Sequence, residues 1–149
     1  MKTMLIALII LFSVSVFAAN AASKIIEYPE IREIDEDRML ETIAVLENSR
    51  GKTGKRGEYG TYQIHPATWK EHSSIPMVMV PEFLQRKVAR NILRHYAEII
   101  HNKGKPINVE TLAMAWCSGP YRINPSKNAI NYARRAGFTY PYTSYSKRK

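Results

Sequence analysis

From Pro81 onward the chain repeats apolar residues at three- and four-residue intervals. Phe83, Leu84, Val88, Ile92, Leu93, Tyr96, Ile99 and Ile100 fall on one face of a single long helix, which Gly104 and Pro106 then end. A helix of that length with one apolar stripe has to bury the stripe against other elements, so it dictates a packed helical domain. A second periodic stretch supplies a partner. Ile31, Ile34, Met39, Leu40, Ile43, Ala44 and Leu46 predict a helix over about 35–49, with Asp35, Glu36 and Asp37 crowding its first turn, where acids suit the dipole. Pro66 opens a short helix through Glu71. Asn108 caps another through Trp116, ended by Ser118-Gly119-Pro120. Asn124, with Pro125 next to it, is expected to cap a last helix reaching Arg135, with Gly137 as its stop. Between the first two helices, Tyr59 to Ile64 is aromatic and β-branched, which predicts a short strand or hairpin.

The N-terminus reads as a targeting segment. Met1-Lys2 is followed by an apolar run from Leu5 to Phe17, broken only by Ser13 and Ser15, and then by Ala19-Asn20-Ala21. This pattern predicts an export signal over residues 1–21, since the run falls short of the ~20 apolar residues that span a bilayer. Signal and anchor differ only in cleavage, so the expected location is periplasmic or extracellular, membrane-anchored if the segment is kept. The chain has one cysteine, which excludes an internal disulfide and leaves packing to hold a single domain. Cys117 is expected to be a small buried apolar side chain. The formal charge of +9 implies an anionic partner. No helix-turn-helix pattern, zinc-finger spacing or RNA-module signature accompanies it, and export also argues against nucleic acid. His65, His72, His95 and His101 do not fall at metal-ligand spacing, so neither metal nor cofactor is expected. A monomer is the expected state.

Two acids stand out. Glu47 lies near the C-terminal end of the first helix, where dipole and burial would both raise its pKa. Glu58, eleven positions later, opens the expected strand. Residues 50–57 between them form a glycine-rich, strongly basic loop containing Arg50, Lys52, Lys55 and Arg56. Two carboxylates in different environments, one held protonated and one ionised, are what glycoside cleavage needs. Glu58 is equally readable as a partner for Arg56 or Lys55. Trp69 and Trp116 suit a core or a sugar platform, while Tyr62 and Tyr121 adjoin the turns beside the acids and are expected in a cleft.

Three segments, taken together and in order, carry a resemblance. Leu46-Glu47-Asn48-Ser49, Tyr59-Gly60-Thr61-Tyr62-Gln63-Ile64 and Ala113-Met114-Ala115-Trp116-Cys117-Ser118-Gly119-Pro120 resemble the lysozyme superfamily, closest to its SLT-type lytic transglycosylase branch, over about residues 30–135. The resemblance implies a mostly α fold, α+β and lysozyme-like, in which a helical bundle surrounds a cleft beside a small β-hairpin or strand. It divides the chain into a signal at 1–21, a catalytic domain at 22–137 and a basic, aromatic tail at 138–149. Glu47 takes the place of the general acid and Gln63 that of the glutamine lining the cleft. Tyr132 resembles the tyrosine on the last helix that reaches toward the catalytic acid. Tyr59, Tyr62, Gln63, Trp116, Tyr121 and Tyr132 make up the expected substrate-binding set. Trp116 stands where the family usually has tyrosine, Cys117 where it has asparagine, and Asn48 where serine follows the acid.

Glu58 departs from that branch and instead resembles the Asp of animal lysozymes, which are disulfide-rich as this chain is not. The implied activity is cleavage of the β-1,4 bond between N-acetylmuramic acid and N-acetylglucosamine in peptidoglycan, by transglycosylation with Glu47. The alternatives are a hydrolase using Glu58 as second carboxylate, a non-catalytic wall-binding module, and a basic antimicrobial acting by charge. The implied partners are peptidoglycan glycan strands, with a cell-envelope assembly system needing a local gap in the wall as a further candidate.

Overall fold

The computed structural model describes residues 34–47, 53–78 and 80–142, with the side chain of Tyr142 left aside. The 1–21 segment, the chain through 33, Asn48 to Lys52 and the end of the tail lie outside the described residues. The protein is mostly helical, with five α-helices among the described residues.

Helix α1, Glu36–Glu47, begins where the Asp35 carboxylate accepts the Asp37 and Arg38 backbone N–H groups at 3.0 and 3.1 Å. It buries Met39, Leu40, Thr42, Ile43 and Leu46 and is described as far as Glu47; the expected boundary at 49 lies outside the described residues. Helix α2, Pro66–His72, has Pro66 in its first turn and His65 as its cap, and it buries Trp69. The Trp69 indole N–H donates to the Ile75 carbonyl at 2.6 Å.

Helix α3, Glu82–Asn102, carries the long stripe, with Val88, Ala89, Ile92, Leu93, Tyr96, Ala97, Ile99 and Ile100 buried. Phe83, expected in that stripe, is exposed instead, while its neighbours Leu84 and Gln85 pack inward, so Phe83 falls off the buried face. Helix α4, Val109–Ser118, starts with a reciprocal capping box between Asn108 and Thr111.

Helix α5, Lys127–Thr139, differs from expectation at both ends. Its cap is Ser126, whose hydroxyl accepts the Ala129 N–H at 3.2 Å. Pro125 therefore lies just outside the helix, before the cap, and not in its first turn. Gly137 does not stop the helix. A Cβ there would lie 2.5 Å from Glu110 Oε1 on α4, so this glycine allows close approach of two helices. The chain continues into a 3-10 turn, Tyr140–Tyr142, where the Tyr140 hydroxyl accepts the Asp35 N–H at 3.0 Å and the Arg38 guanidinium sits 5.5 Å from its ring centroid. Of the residues expected to begin a loose tail, Phe138 is exposed, whereas Tyr140 packs against the start of α1.

A ladder of charges sets α1 against α3. Arg86, Arg90 and Arg94 recur one turn apart on α3 and meet Glu41, Asp37 and Glu36 on α1. Arg86 donates to Glu41 at 2.6 Å and to Asp37 at 3.1 Å, Arg90 donates to Asp37, and Arg94 donates to Glu36 at 2.7 and 2.9 Å. Each partly exposed pair contributes at most about 1 kcal/mol. Their joint geometry fixes the register of α1, and hence where Glu47 emerges.

The expected strand reduces to one antiparallel bridge, Tyr59 with Ile64, around a four-residue turn. Gly60 and Gln63 take positive φ values of 76° and 48°. Gln85, buried on α3, clamps the turn by accepting the Thr61 N–H at 3.0 Å while donating to the Val80 carbonyl at 2.8 Å. Tight turning consumes the residues that a longer ladder would need.

Candidate active site

Glu47 is the last described residue of α1, and its carboxylate forms part of the wall of a cleft of about 600 Å³. The Tyr132 hydroxyl, from α5, donates to Glu47 Oε1 at 2.8 Å across 85 positions of sequence. Burial pushes the Glu47 carboxyl above its ordinary range. The Tyr132 hydrogen bond and the Arg135 charge pull it back in part, and the negative charge of Glu58 adds to the rise. Tyr132 itself is pushed far upward by burial and by the Glu47 charge, so it stays a hydrogen-bond donor. The pair therefore presents an oriented carboxyl group that is easier to protonate than an exposed glutamate.

Glu58 lines the same cleft in the opposite electrostatic state. Its Oε2 accepts the Arg56 backbone N–H and its Oε1 the Arg56 Nε–H, both at 2.9 Å. Burial pushes its carboxyl up, but these bonds and the Arg56 charge outweigh that effect and hold it below the ordinary range. Glu58 is thus the partner of Arg56, as one of its two readings expects, and it lines the cleft. Gly54 makes room for it, since a Cβ at 54 would lie 2.5 Å from Glu58 Oε2 and 2.8 Å from Gln63 Oε1.

Gln63 lines the cleft, with its amide N–H donating to the Gly60 carbonyl at 2.9 Å. Trp116 lines it too, half-buried, its indole N–H donating to the Tyr62 carbonyl at 3.3 Å and its ring edge-on to Tyr96 at 6.3 Å. The other three tyrosines fall elsewhere. Tyr62 is 1% exposed in the core, and its hydroxyl accepts from Arg86 at 3.5 Å; the turn points its side chain inward. Tyr59 is half-buried at the bridge, outside the cleft lining. Tyr121 is exposed beyond the cleft, with the Lys103 ammonium 5.0 Å from its ring centroid. Cys117 is exposed on the cleft wall rather than buried. Partial desolvation and the Glu47 charge push its thiol up, so it offers no ready thiolate.

Sequence reasoning missed Thr68, Tyr96 and Arg122, which complete the wall. Tyr96 was legible as an α3 stripe residue one turn after Ile92, but nothing local marks Arg122. No family model matches the chain, and neither a curated protein nor a solved structure is similar to it.

Proposed function

We propose that the protein is a lysozyme-like, exported enzyme that cleaves the β-1,4 bond between N-acetylmuramic acid and N-acetylglucosamine as a lytic transglycosylase, with Glu47 as acid and then base. The observation that carries this reading is the Tyr132 hydroxyl, 2.8 Å from a desolvated Glu47 carboxyl whose pKa is raised. Protonated Glu47 gives its proton to the glycosidic oxygen as the bond to the anomeric carbon breaks. The resulting Glu47 carboxylate takes the proton of the muramoyl 6-hydroxyl, whose oxygen attacks the anomeric carbon and closes an anhydro ring. Glu47 ends protonated, ready for another cycle. Ionised Glu58 adds negative potential near the developing oxocarbenium charge.

A hydrolase using Glu58 is the second reading, and its support is that Glu58 shares the cleft and is ionised. Against it, both Glu58 oxygens are already occupied by Arg56, which lowers nucleophilicity. Mass spectrometry of products from purified sacculi decides between them. Anhydro-muramoyl ends, lighter by one water, are expected; reducing ends would establish the hydrolase.

The pH profile supplies a check with opposite signs at two positions. Glu47 donates its proton first, so activity is lost as pH rises through its pKa. Tyr132→Phe removes a bond that stabilises the carboxylate, so Glu47 titrates higher and the alkaline limb moves to higher pH. Glu58→Gln removes a like charge, so the limb moves to lower pH. Shifts in the same direction in both variants would be inconsistent with Glu47 as the group setting that limb.

A further inference from the structure

Among the described residues, four Arg and Lys side chains lie at or beside the cleft. Arg56 is neutralised by Glu58, and Arg135 acts on Glu47 from outside the lining. Lys55 and Arg122 remain. Both line the cleft, both are exposed, and neither has an acidic partner among the described residues. They come from different loops, Lys55 ahead of the Tyr59 bridge and Arg122 just after α4. Lys55, Arg56 and Arg122 share the lining of one cleft with Glu47, and the charges of Arg122, Arg56 and Glu47 all act on Cys117 in its wall. A β-1,4 polymer of N-acetylglucosamine is neutral and gives such cations nothing to pair with. A wall glycan carries carboxylates on its muramoyl side groups, either on the lactyl ether itself or on the peptide stem attached to it.

We infer that Lys55 and Arg122 are specificity-determining residues that bind the side-group carboxylates of the glycan strand, so that the cleft takes acidic wall glycan and rejects neutral chitin-like polymer. This inference deepens the function proposed above and rests on it. The contacts are solvent-exposed, so they select substrate through charge and are screened by salt.

Co-sedimentation of full-length protein carrying Glu47→Gln, which binds without cleaving, tests the inference on three polymers. These are intact sacculi, sacculi stripped of stems by an amidase, which frees the lactyl carboxyl from its amide bond, and chitin. Binding to intact sacculi is expected to exceed binding to chitin, to weaken with added salt, and to fall about five- to tenfold on adding Lys55→Gln and Arg122→Gln. Where a stem is attached the lactyl carboxyl is an uncharged amide, so charge-dependent binding to intact sacculi assigns the carboxylates to the stem; binding kept after stripping shows that the freed lactyl carboxylate is accepted as well, and loss shows that it is not. Equal binding to chitin, or unchanged affinity in the charge variants, would overturn the inference. Cleavage of sacculi by the unsubstituted protein is read separately. If it cleaves and charge is irrelevant, only the carboxylate contacts fall. If charge-dependent binding holds without cleavage, the proposed reaction falls and wall recognition stands. Because both side chains are exposed, unchanged melting temperatures are expected to exclude misfolding as the cause.

Discussion

Glu47→Gln is expected to lower the release of soluble fragments from sacculi by about 10³-fold or more, the scale of losing a general acid that also serves as base. The fold is expected to survive intact. The amide keeps the length of the side chain and an oxygen to accept the Tyr132 hydroxyl. It also removes a group whose ionised form the fold disfavours, as the raised pKa records. The melting temperature should therefore be unchanged or slightly higher at neutral pH, where an unfolded glutamate is ionised and a folded Glu47 is held back from ionising. Activity within tenfold of the parent would remove Glu47 from the mechanism and overturn the assignment built on it.

Gly60→Ala is expected to be the most damaging small substitution in the chain. At φ 76° an added Cβ is strained whatever the space, and here there is no space. The new methyl would fall within contact distance of Gln85 Oε1 and 2.7 Å from Gln85 Cδ. Gln85 cannot simply swing away, because its amide is buried and ties the Thr61 N–H to the Val80 carbonyl. Strain together with a disturbed buried hydrogen bond amounts to about 2–4 kcal/mol. For a domain of this size that corresponds to a fall in melting temperature of roughly 10–20 °C, measurable by circular dichroism. Adding Gln85→Ala should recover the steric part of the loss but not the backbone part, so the two substitutions should not be additive. Because Gln63 closes the same turn, the cleft is expected to loosen before the helices melt.

Several elements were legible from local pattern, and their errors are instructive. The stripe on α3 named its buried face correctly from Val88 to Ile100, because apolar periodicity over several turns averages out single exceptions such as Phe83. Asn108 was readable as a cap because its reciprocal partner Thr111 lies three residues away. The start of α5 was misplaced by two residues, since Asn124 and Ser126 are both good caps and the proline between them had to be assigned to the inside or outside of the helix. Gly137 was misread as a stop. Its actual constraint is the approach of Glu110 from α4, which local composition does not encode.

The sequence by itself determined a helical domain, with Glu47 toward the C-terminal part of α1, because apolar periods, caps, glycines and prolines act over a few residues. The turn from Gly60 to Gln63 and Tyr132 as a residue reaching toward the acid were what the resemblance implied. Which side chains share the cleft was decided by tertiary structure alone. The Arg86, Arg90 and Arg94 ladder sets α1 against α3, and α5 then brings Tyr132 to Glu47 from 85 residues away. The inward turn at Tyr62, the exposure of Cys117 and the unpaired positions of Lys55 and Arg122 likewise depend on how elements pack. Glu47 and Glu58 are the same residue type, and the packing separates them: burial raises one carboxyl, while Arg56 holds the other ionised.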